Sequence, residues 1–505
     1  MNTNYQFTIS RIKEEYQNQK DIKPFDKYIV LYRSIKKCIL NNDLPNEWML
    51  PSTRVLAQEL SFSRTTINKA YELLQLEKLI IVKSGSGNIV NFDHSNSVEK
   101  KTNTENFKKN LKYPTITKKG KLFLKNMSLI NRPNDSNLAF KPGLPPIDIF
   151  PINQWKKLLN SYWRYIKSSG LSYHKSTGLE ELKKSIKNYL NISRNIKCSN
   201  KQIVIVSGNL QSLYLITSAL IESGDSVILE DPTFPNVHSI FKSQEANIIG
   251  VNVDEEGIDI KKINSYNHLH PKLIHTTPSN HYPLGIKMSL NRRKELLNWA
   301  SKNNSLLIEN DYEPEVTNHV NSIPTLFSLD KEDRTIYIST FNRLLHPSLR
   351  LGFMIVPEFL VDTIEAIQEH SHRFVSPSIQ VVMNEFIERN YLFQHLKNVI
   401  QVAQLRHALF ISEFENENKW MYIDNKEFCN LHVVAKFKKN VSEKEELEII
   451  KKLSLHNIVT FPLSMCYLGE HKEKGFILGY SAVRPNKLIQ KVTQMKSILE
   501  NELKF

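Results

Sequence analysis

Apolar residues recur at helical spacing near the start of the chain and as short strand-like runs further on, and this change of period divides the sequence. Tyr28, Leu31, Tyr32, Ile35 and Ile39 share one face of a predicted helix. Asn41 to Pro45 supplies the polar turn that ends it. Ser52 caps a second helix with Leu56 and Leu60 inward and Arg54 on the exposed side of its first turn. After the break at Ser61-Phe62, Ser63 caps a third, with Ile67, Ala70, Tyr71 and Leu74 buried and Arg64, Thr65, Asn68, Lys69 and Glu72 outward. Leu79–Val82 and Asn88–Phe92 are predicted strands around Lys83-Ser-Gly-Ser-Gly87, a small hairpin. Helix, helix, turn, helix and β-wing is an architecture that sets one helix in the DNA major groove.

From Phe140 onward the pattern alternates. Ile203–Val206, Ser226–Leu229, Ile248–Val253, Leu273–His275, Ser305–Ile308 and Thr335–Ile338 are strand-like, with helical stretches such as Gln211–Glu222 and Asn236–Ser243 between them. The alternation predicts an α/β domain with a mostly parallel sheet flanked by helices. Ligands in such sheets lie at the carboxyl ends of strands, so the turns there carry the informative residues. Between the two regions, Asp93 to Asp135 is rich in Lys, Asn, Ser and Thr with a surplus of six positive charges. It is expected as a basic, flexible tether, with a short helix over Lys121 to Ile130. The expected division is 1–92, 93–135 and 136–505.

Composition narrows the function classes. A length of 505 residues supports two folding units and a linker. With 40% hydrophobic residues and no apolar run of membrane-span length, no transmembrane role is expected. The polar start lacks a secretory signal, and Cys38, Cys198, Cys429 and Cys466 form no CxxC pair, so a reducing cytoplasm is the expected compartment. His370 and His372 have no recognised metal-ligand spacing. A formal charge of +15 opens a polyanion role without deciding it, because lysine-rich solvated surfaces give the same balance.

Leu50-Pro-Ser-x-Arg54, Ser63-Arg-x-Thr66 and Gly85-Ser-Gly87, in this order, resemble the winged helix-turn-helix of GntR-type regulators. The resemblance implies double-stranded DNA as partner. It implies Arg54 on a phosphate, Ser63, Arg64, Thr65 and Thr66 at the groove-facing helix start, and a glycine wing around Gly85 in the minor groove.

A second set of motifs runs in order behind it: Pro142-Gly-Leu-Pro145 with Trp155, Tyr173 before Gly178, Ser207-Gly208, Glu230-Asp-Pro-Thr-Phe-Pro235, Thr277-Pro-Ser-Asn-His-Tyr-Pro-Leu-Gly285, Asp311-Tyr312 and Pro347-Ser-Leu-Arg-Leu-Gly352. Together they resemble the fold type I, aminotransferase-like domain of the MocR subfamily, in which that domain follows a GntR-type reader. The resemblance implies a homodimer and pyridoxal 5′-phosphate. Ser207, Gly208, Asn209, Thr340 and Arg350 would hold its phosphate, Phe234 would stack on its ring, and Tyr312 and His281 would lie near the ring hydroxyl. Tyr173 matches a tyrosine that reaches across the dimer.

The chain departs from the family where chemistry is done. Arg343 stands at the imine-forming lysine, and a guanidinium stays charged and makes no imine. Asn310 stands at the aspartate that keeps the pyridine nitrogen protonated, and Ala482 at the substrate-carboxylate arginine, with Arg484 two residues on. Arg343 either binds an anion or fills the vacant lysine pocket through an internal ion pair such as one to Asp311. Lys287 is a candidate substitute amine, outside the expected turn. The expectation is a regulator that senses a small phosphate- or carboxylate-bearing effector, with pyridoxal phosphate at most noncovalent. The alternative is an active pyridoxal-phosphate aminotransferase with a DNA-binding appendage.

Overall fold

A computed structural model describes residues 3–20, 26–83, 87–92, 114–130, 139–317, 323–470 and 472–503. Two compact units divide between Thr115 and Ile116.

The first unit contains α1 (Thr3–Lys20), α2 (Lys27–Leu40), α3 (Thr53–Leu60), α4 (Arg64–Leu76), β1 (Ile80–Lys83) and β2 (Gly87–Val90). Local chemistry sets the helix boundaries. Ser52 Oγ accepts the Val55 amide and Ser63 Oγ accepts the Thr66 amide, while Ser61 closes α3 in the left-handed region at φ 53°. Leu31, Ile35, Leu56, Ile67 and Leu74 are fully buried and form the shared core. β1 and β2 pair antiparallel. The turn with Gly85 lies outside the described residues. Helix α1 has no counterpart in the expected elements, because its apolar positions are sparse. It adds Ile9 and Ile12 to the core, its buried Thr8 hydroxyl accepts the Trp48 indole N–H at 2.8 Å, and Glu15 pairs with Lys37 at 2.7 Å.

In the second unit, α5 (Lys118–Ile130) lies inside the segment expected as a tether and is folded. It packs on the helix Pro235–Ser243: Asn126, 3% exposed, donates to Ser243 Oγ at 3.0 Å, and Ser239 Oγ donates to the Asn126 carbonyl at 3.3 Å. The main sheet is built from β3 (Ile203–Val206), β4 (Ser226–Asp231), β5 (Asn247–Asp254), β6 (Gly257–Ile258), β7 (Leu273–Thr276), β8 (Leu306–Asp311), β9 (Thr335–Thr340) and β10 (Gly352–Ile355). Its order is β3-β10-β9-β8-β7-β4-β5-β6. β5, β4, β7, β8 and β9 are parallel, whereas β10 runs antiparallel to both β3 and β9. β3 therefore points the same way as the parallel set, and the carboxyl ends of six strands open on one edge. The strand cores are apolar on both faces, as a sheet covered by helices requires.

A second sheet has no counterpart in the sequence expectations. β11 (Met421–Ile423), β12 (Val433–Phe437), β13 (Phe461–Pro462) and β14 (Gly475–Leu478) form it in the order β11-β12-β14-β13, all antiparallel. The helices Glu443–Leu455 and Pro485–Glu502 bury Leu453, Leu488 and Val492 in its core.

Candidate functional site

In the first unit the outward face of α4 begins with Arg64 and Thr65, both exposed, and Arg54 is exposed on α3. Ser63 and Thr66 are held otherwise. Ser63 Oγ accepts the Thr66 amide at 3.2 Å and lies 2.8 Å from Thr66 Oγ1, so both serve the helix cap. Their contribution is to fix the start of α4, from which Arg64 and Thr65 project.

In the second unit the carboxyl edge of the main sheet opens into a cavity of about 240 Å3. Gly208, Asn209, Phe234, Asn310, Tyr312, Thr340, Arg343 and Arg350, eight of the eleven residues expected there, line it. Ser207, His281 and Tyr173 do not. His281 is 2% exposed and faces away, its Nε2 donating to the Pro232 carbonyl at 3.0 Å; burial depresses its pKa and keeps it neutral. Its neighbour Tyr282 takes the cavity position, with its ring 4.3 Å from that of Phe234. Tyr173 is 78% exposed under the Arg373 guanidinium at 4.9 Å, outside the cavity of its own chain.

The sheet positions one end of the cavity for an anion. β3 ends at Val206, and after Ser207 the chain turns at Gly208, φ 133°, into the helix Asn209–Leu220. The Ser207 amide and hydroxyl are taken by Gln211 Oε1 at 2.6 and 2.8 Å, so Ser207 is not a free donor. The first-turn amides of Asn209 and Leu210 remain, both residues lining the cavity. Arg350, exposed and in the left-handed region at φ 51°, lines the same end. It has no ion-pair partner among the described residues. The Thr340 hydroxyl accepts the Asn342 amide and donates to the Leu351 carbonyl, each at 3.2 Å. Asn342, a cavity residue that motif reading missed, thereby ties the β9 turn to β10.

Arg343 lines the cavity between two aromatic rings. Its guanidinium lies 5.5 Å from the Phe234 ring centre and 5.3 Å from that of Tyr312. Its ion-pair partner is Glu313, at 3.4 Å, and not Asp311. Strand alternation explains the difference: Asn310 faces the cavity, so Asp311 faces the other side, where it pairs with Arg194 at 2.6 Å and accepts the Tyr337 hydroxyl at 2.8 Å. Glu313 is 1% exposed, and burial raises its pKa against the opposing effect of Arg343. Gly143, at φ +79°, faces the guanidinium so closely that a Cβ would fall 2.2 Å from Nη1. That contact accounts for the glycine in Pro142-Gly-Leu-Pro145.

Asn310 is held by two partners. Its Oδ1 accepts from Asn209 Nδ2 at 2.6 Å and its Nδ2 donates to His275 Nε2 at 3.1 Å. Burial drives His275 down to about 3, so it is a neutral acceptor. The amide carries no charge with which to keep a pyridinium protonated. Lys287 is exposed and does not line the cavity, whereas Lys141 does. Arg484 sits apart, 3.5 Å from Asp148, so neither it nor Ala482 supplies a carboxylate grip. The lining thus contains Lys141, Arg343 and Arg350 and no acidic residue. These residues fit the phosphate end of pyridoxal phosphate. They do not fit its aldehyde, which meets a guanidinium, or a protonated ring nitrogen, which meets a neutral amide.

Comparisons with known proteins identify the family of each unit. Residues 27–90 match the family described as bacterial regulatory proteins, gntR family, and residues 147–476 match aminotransferase class I and II. The probable rhizopine catabolism regulatory protein MocR of Rhizobium meliloti is 28% identical over 92% of this chain and 92% of its own. The uncharacterized HTH-type transcriptional regulator YdeL of Bacillus subtilis is 30% identical over 94% of this chain and 99% of its own. Among solved structures, the α-aminoadipate aminotransferase LysN of Thermus thermophilus, complexed with N-(5′-phosphopyridoxyl)-L-leucine, covers 75% of this chain and 97% of its own at a TM-score of 0.68 and 19% identity.

Proposed function

Because the chain belongs to the MocR-type group of GntR regulators, a winged helix-turn-helix joined to a fold type I aminotransferase domain, we propose that it is a DNA-binding transcription regulator whose second domain dimerises and binds a small anion without transamination. Residues 1–92 are the reader and 136–505 the ligand and dimerisation domain, with α5 of the intervening segment docked on the latter. The observation that carries the ligand reading is Arg343 in a cavity lined by three cations and no acid. DNA binding is supported by exposed Arg64 and Thr65 at the capped start of α4.

Dimerisation is supported by Tyr173, which lies outside its own cavity in reach of solvent, and by the exposed apolar side chains of Trp163, Tyr165 and Leu171 nearby in sequence. Two readers would then be paired on repeated or palindromic half-sites. A ligand acts by binding two arrangements of those readers with different affinity. No helix of the described residues is long and apolar enough to cross a membrane, and the proposed place of action is the cytoplasm.

The test is binding of the purified chain to the DNA upstream of its own gene at moderate salt. Specific binding that Arg64→Ala weakens and relaxes is the expected result. No binding, or identical behaviour of the variant, overturns the reading. One observation favours the alternative of an active aminotransferase: Lys141 brings an amine to the cavity. That alternative requires an imine absorbance band and a lysine fixed by borohydride.

A further inference from the structure

The guanidinium of Arg343 offers five N–H donors, yet among the described residues it makes one hydrogen bond, the 3.4 Å contact to Glu313. Its side chain is only 15% exposed. A desolvated cation with most donors unfilled is costly unless something entering the cavity fills them. Glu313 supplies a single negative charge behind it, while Arg350, with no ion-pair partner among the described residues, adds a second positive charge to the lining. The cavity therefore favours a ligand with more than one negative charge and disfavours a free ammonium group.

Shape divides those charges between two ends. At one end the first-turn amides of Asn209 and Leu210 and the Arg350 guanidinium offer donors of the kind that suit a tetrahedral phosphate. At the other, the Arg343 fork lies between the faces of Phe234 and Tyr312, in a slot that suits a flat group. A carboxylate is flat and matches the fork with two parallel hydrogen bonds. The apolar part of the lining is Leu210, Leu213, Val237 and Phe461 with the Phe234 ring.

We propose that Arg343 is a carboxylate-recognition residue and that the cavity takes a planar phosphomonoester bearing a carboxylate. The inference rests on the ligand-binding reading above and names the chemistry of the ligand. An aldehyde at the same position can accept a neutral hydrogen bond from a guanidinium but not the charged two-bond pair, so the substitution that removes imine chemistry also favours the oxidised, acidic form of such a molecule.

The test is calorimetric titration of the full chain with two probes that share ring and phosphate: 4-pyridoxic acid 5′-phosphate, with a ring carboxylate, and pyridoxine 5′-phosphate, with a hydroxymethyl group there. A charge-assisted pair predicts about 10- to 100-fold tighter binding of the carboxylate probe. Arg343→Gln collapses that ratio to near one while leaving the affinity for pyridoxine 5′-phosphate within a few-fold. Arg343→Lys, which keeps charge but loses the fork, gives an intermediate ratio, and Arg350→Gln weakens both probes together. Equal binding of both probes by the wild-type chain, or a ratio that survives Arg343→Gln, overturns the proposal and leaves ligand binding intact. Failure of both probes and of inorganic phosphate to bind overturns the ligand reading itself.

Discussion

Replacing Arg343 with methionine removes the only ion-pair partner of Glu313 among the described residues, and its effect on stability is expected to depend on pH. Glu313 is 1% exposed and keeps one further hydrogen bond, from the Leu431 amide at 3.3 Å. Removing one member of a buried pair leaves an uncompensated charge and typically costs about 3–5 kcal/mol. Here the contact is long, at 3.4 Å, and Arg343 borders a cavity rather than packed core, so roughly 2–3 kcal/mol is the expectation at pH 8. Burial already raises the Glu313 pKa above 4.5 and Arg343 holds it down, so the variant raises it further. A carboxyl whose folded pKa is raised contributes stability that is complete below its unfolded pKa and is lost as pH rises through the folded value. As pH falls, protonation of the orphaned Glu313 relieves its buried charge, and the deficit shrinks by about 1.4 kcal/mol per unit of added shift. In thermal melts followed on the large-domain transition, Arg343→Met should melt about 3 °C below wild type at pH 8, and by less at pH 5.5. A deficit equal at both pH values, or a variant more stable at pH 8, refutes the reasoning.

Three further outcomes follow from other parts of the molecule. His432, 2% exposed with Nε2 donating to the Pro283 carbonyl at 3.1 Å, is pushed down to about 3 chiefly by burial. Its stabilisation is present above the unfolded pKa of about 6.5 and is lost on acidification, by about 2 kcal/mol between pH 6.5 and pH 5. Burial lifts Glu309 to about 7, and it works in the opposite direction over that range, so the readout is a shallower pH dependence of His432→Gln relative to wild type. Asn126→Ala removes the hydrogen bond to Ser243 and is expected to weaken α5 docking by about 1 kcal/mol. Hydrogen exchange across 118–130 should speed several-fold with little change elsewhere, and unchanged protection there contradicts the packing described. On DNA, Arg54→Ala should weaken specific and nonspecific sequences about equally, whereas Arg64→Ala should lose the difference between them. Competition with unrelated duplex distinguishes the two, and a specificity loss from Arg54→Ala instead inverts the assignment.

The features readable from sequence are those set locally. The Ser52 and Ser63 caps and the 3.6-residue stripe of α4 depend on residues three or four positions apart, and the structure shows them as expected. The parallel strands were legible as apolar runs because both of their faces are covered. Helix α1 was not, since much of its hold on the unit comes from Thr8 and Glu15 acting on Trp48 and Lys37. The small antiparallel sheet was also missed: β11 and β13 have three and two residues, too few to show a period. In the cavity, the motifs located most lining residues but not their facing. Strand alternation alone would have sent Asp311 away from Arg343. The turn of His281 toward the Pro232 carbonyl, and the entry of Lys141 and Asn342, depend on tertiary contacts that no local spacing encodes.

Incubation of the full chain with pyridoxal 5′-phosphate, then borohydride and peptide mass mapping, tests most directly whether the second domain binds rather than transaminates. The account predicts no imine absorbance band and no stoichiometrically modified lysine, with a band and a fixed lysine gained on Arg343→Lys. A wild-type chain that shows the band and carries the label on one cavity lysine, Lys141 being the one that lines it, contradicts the account.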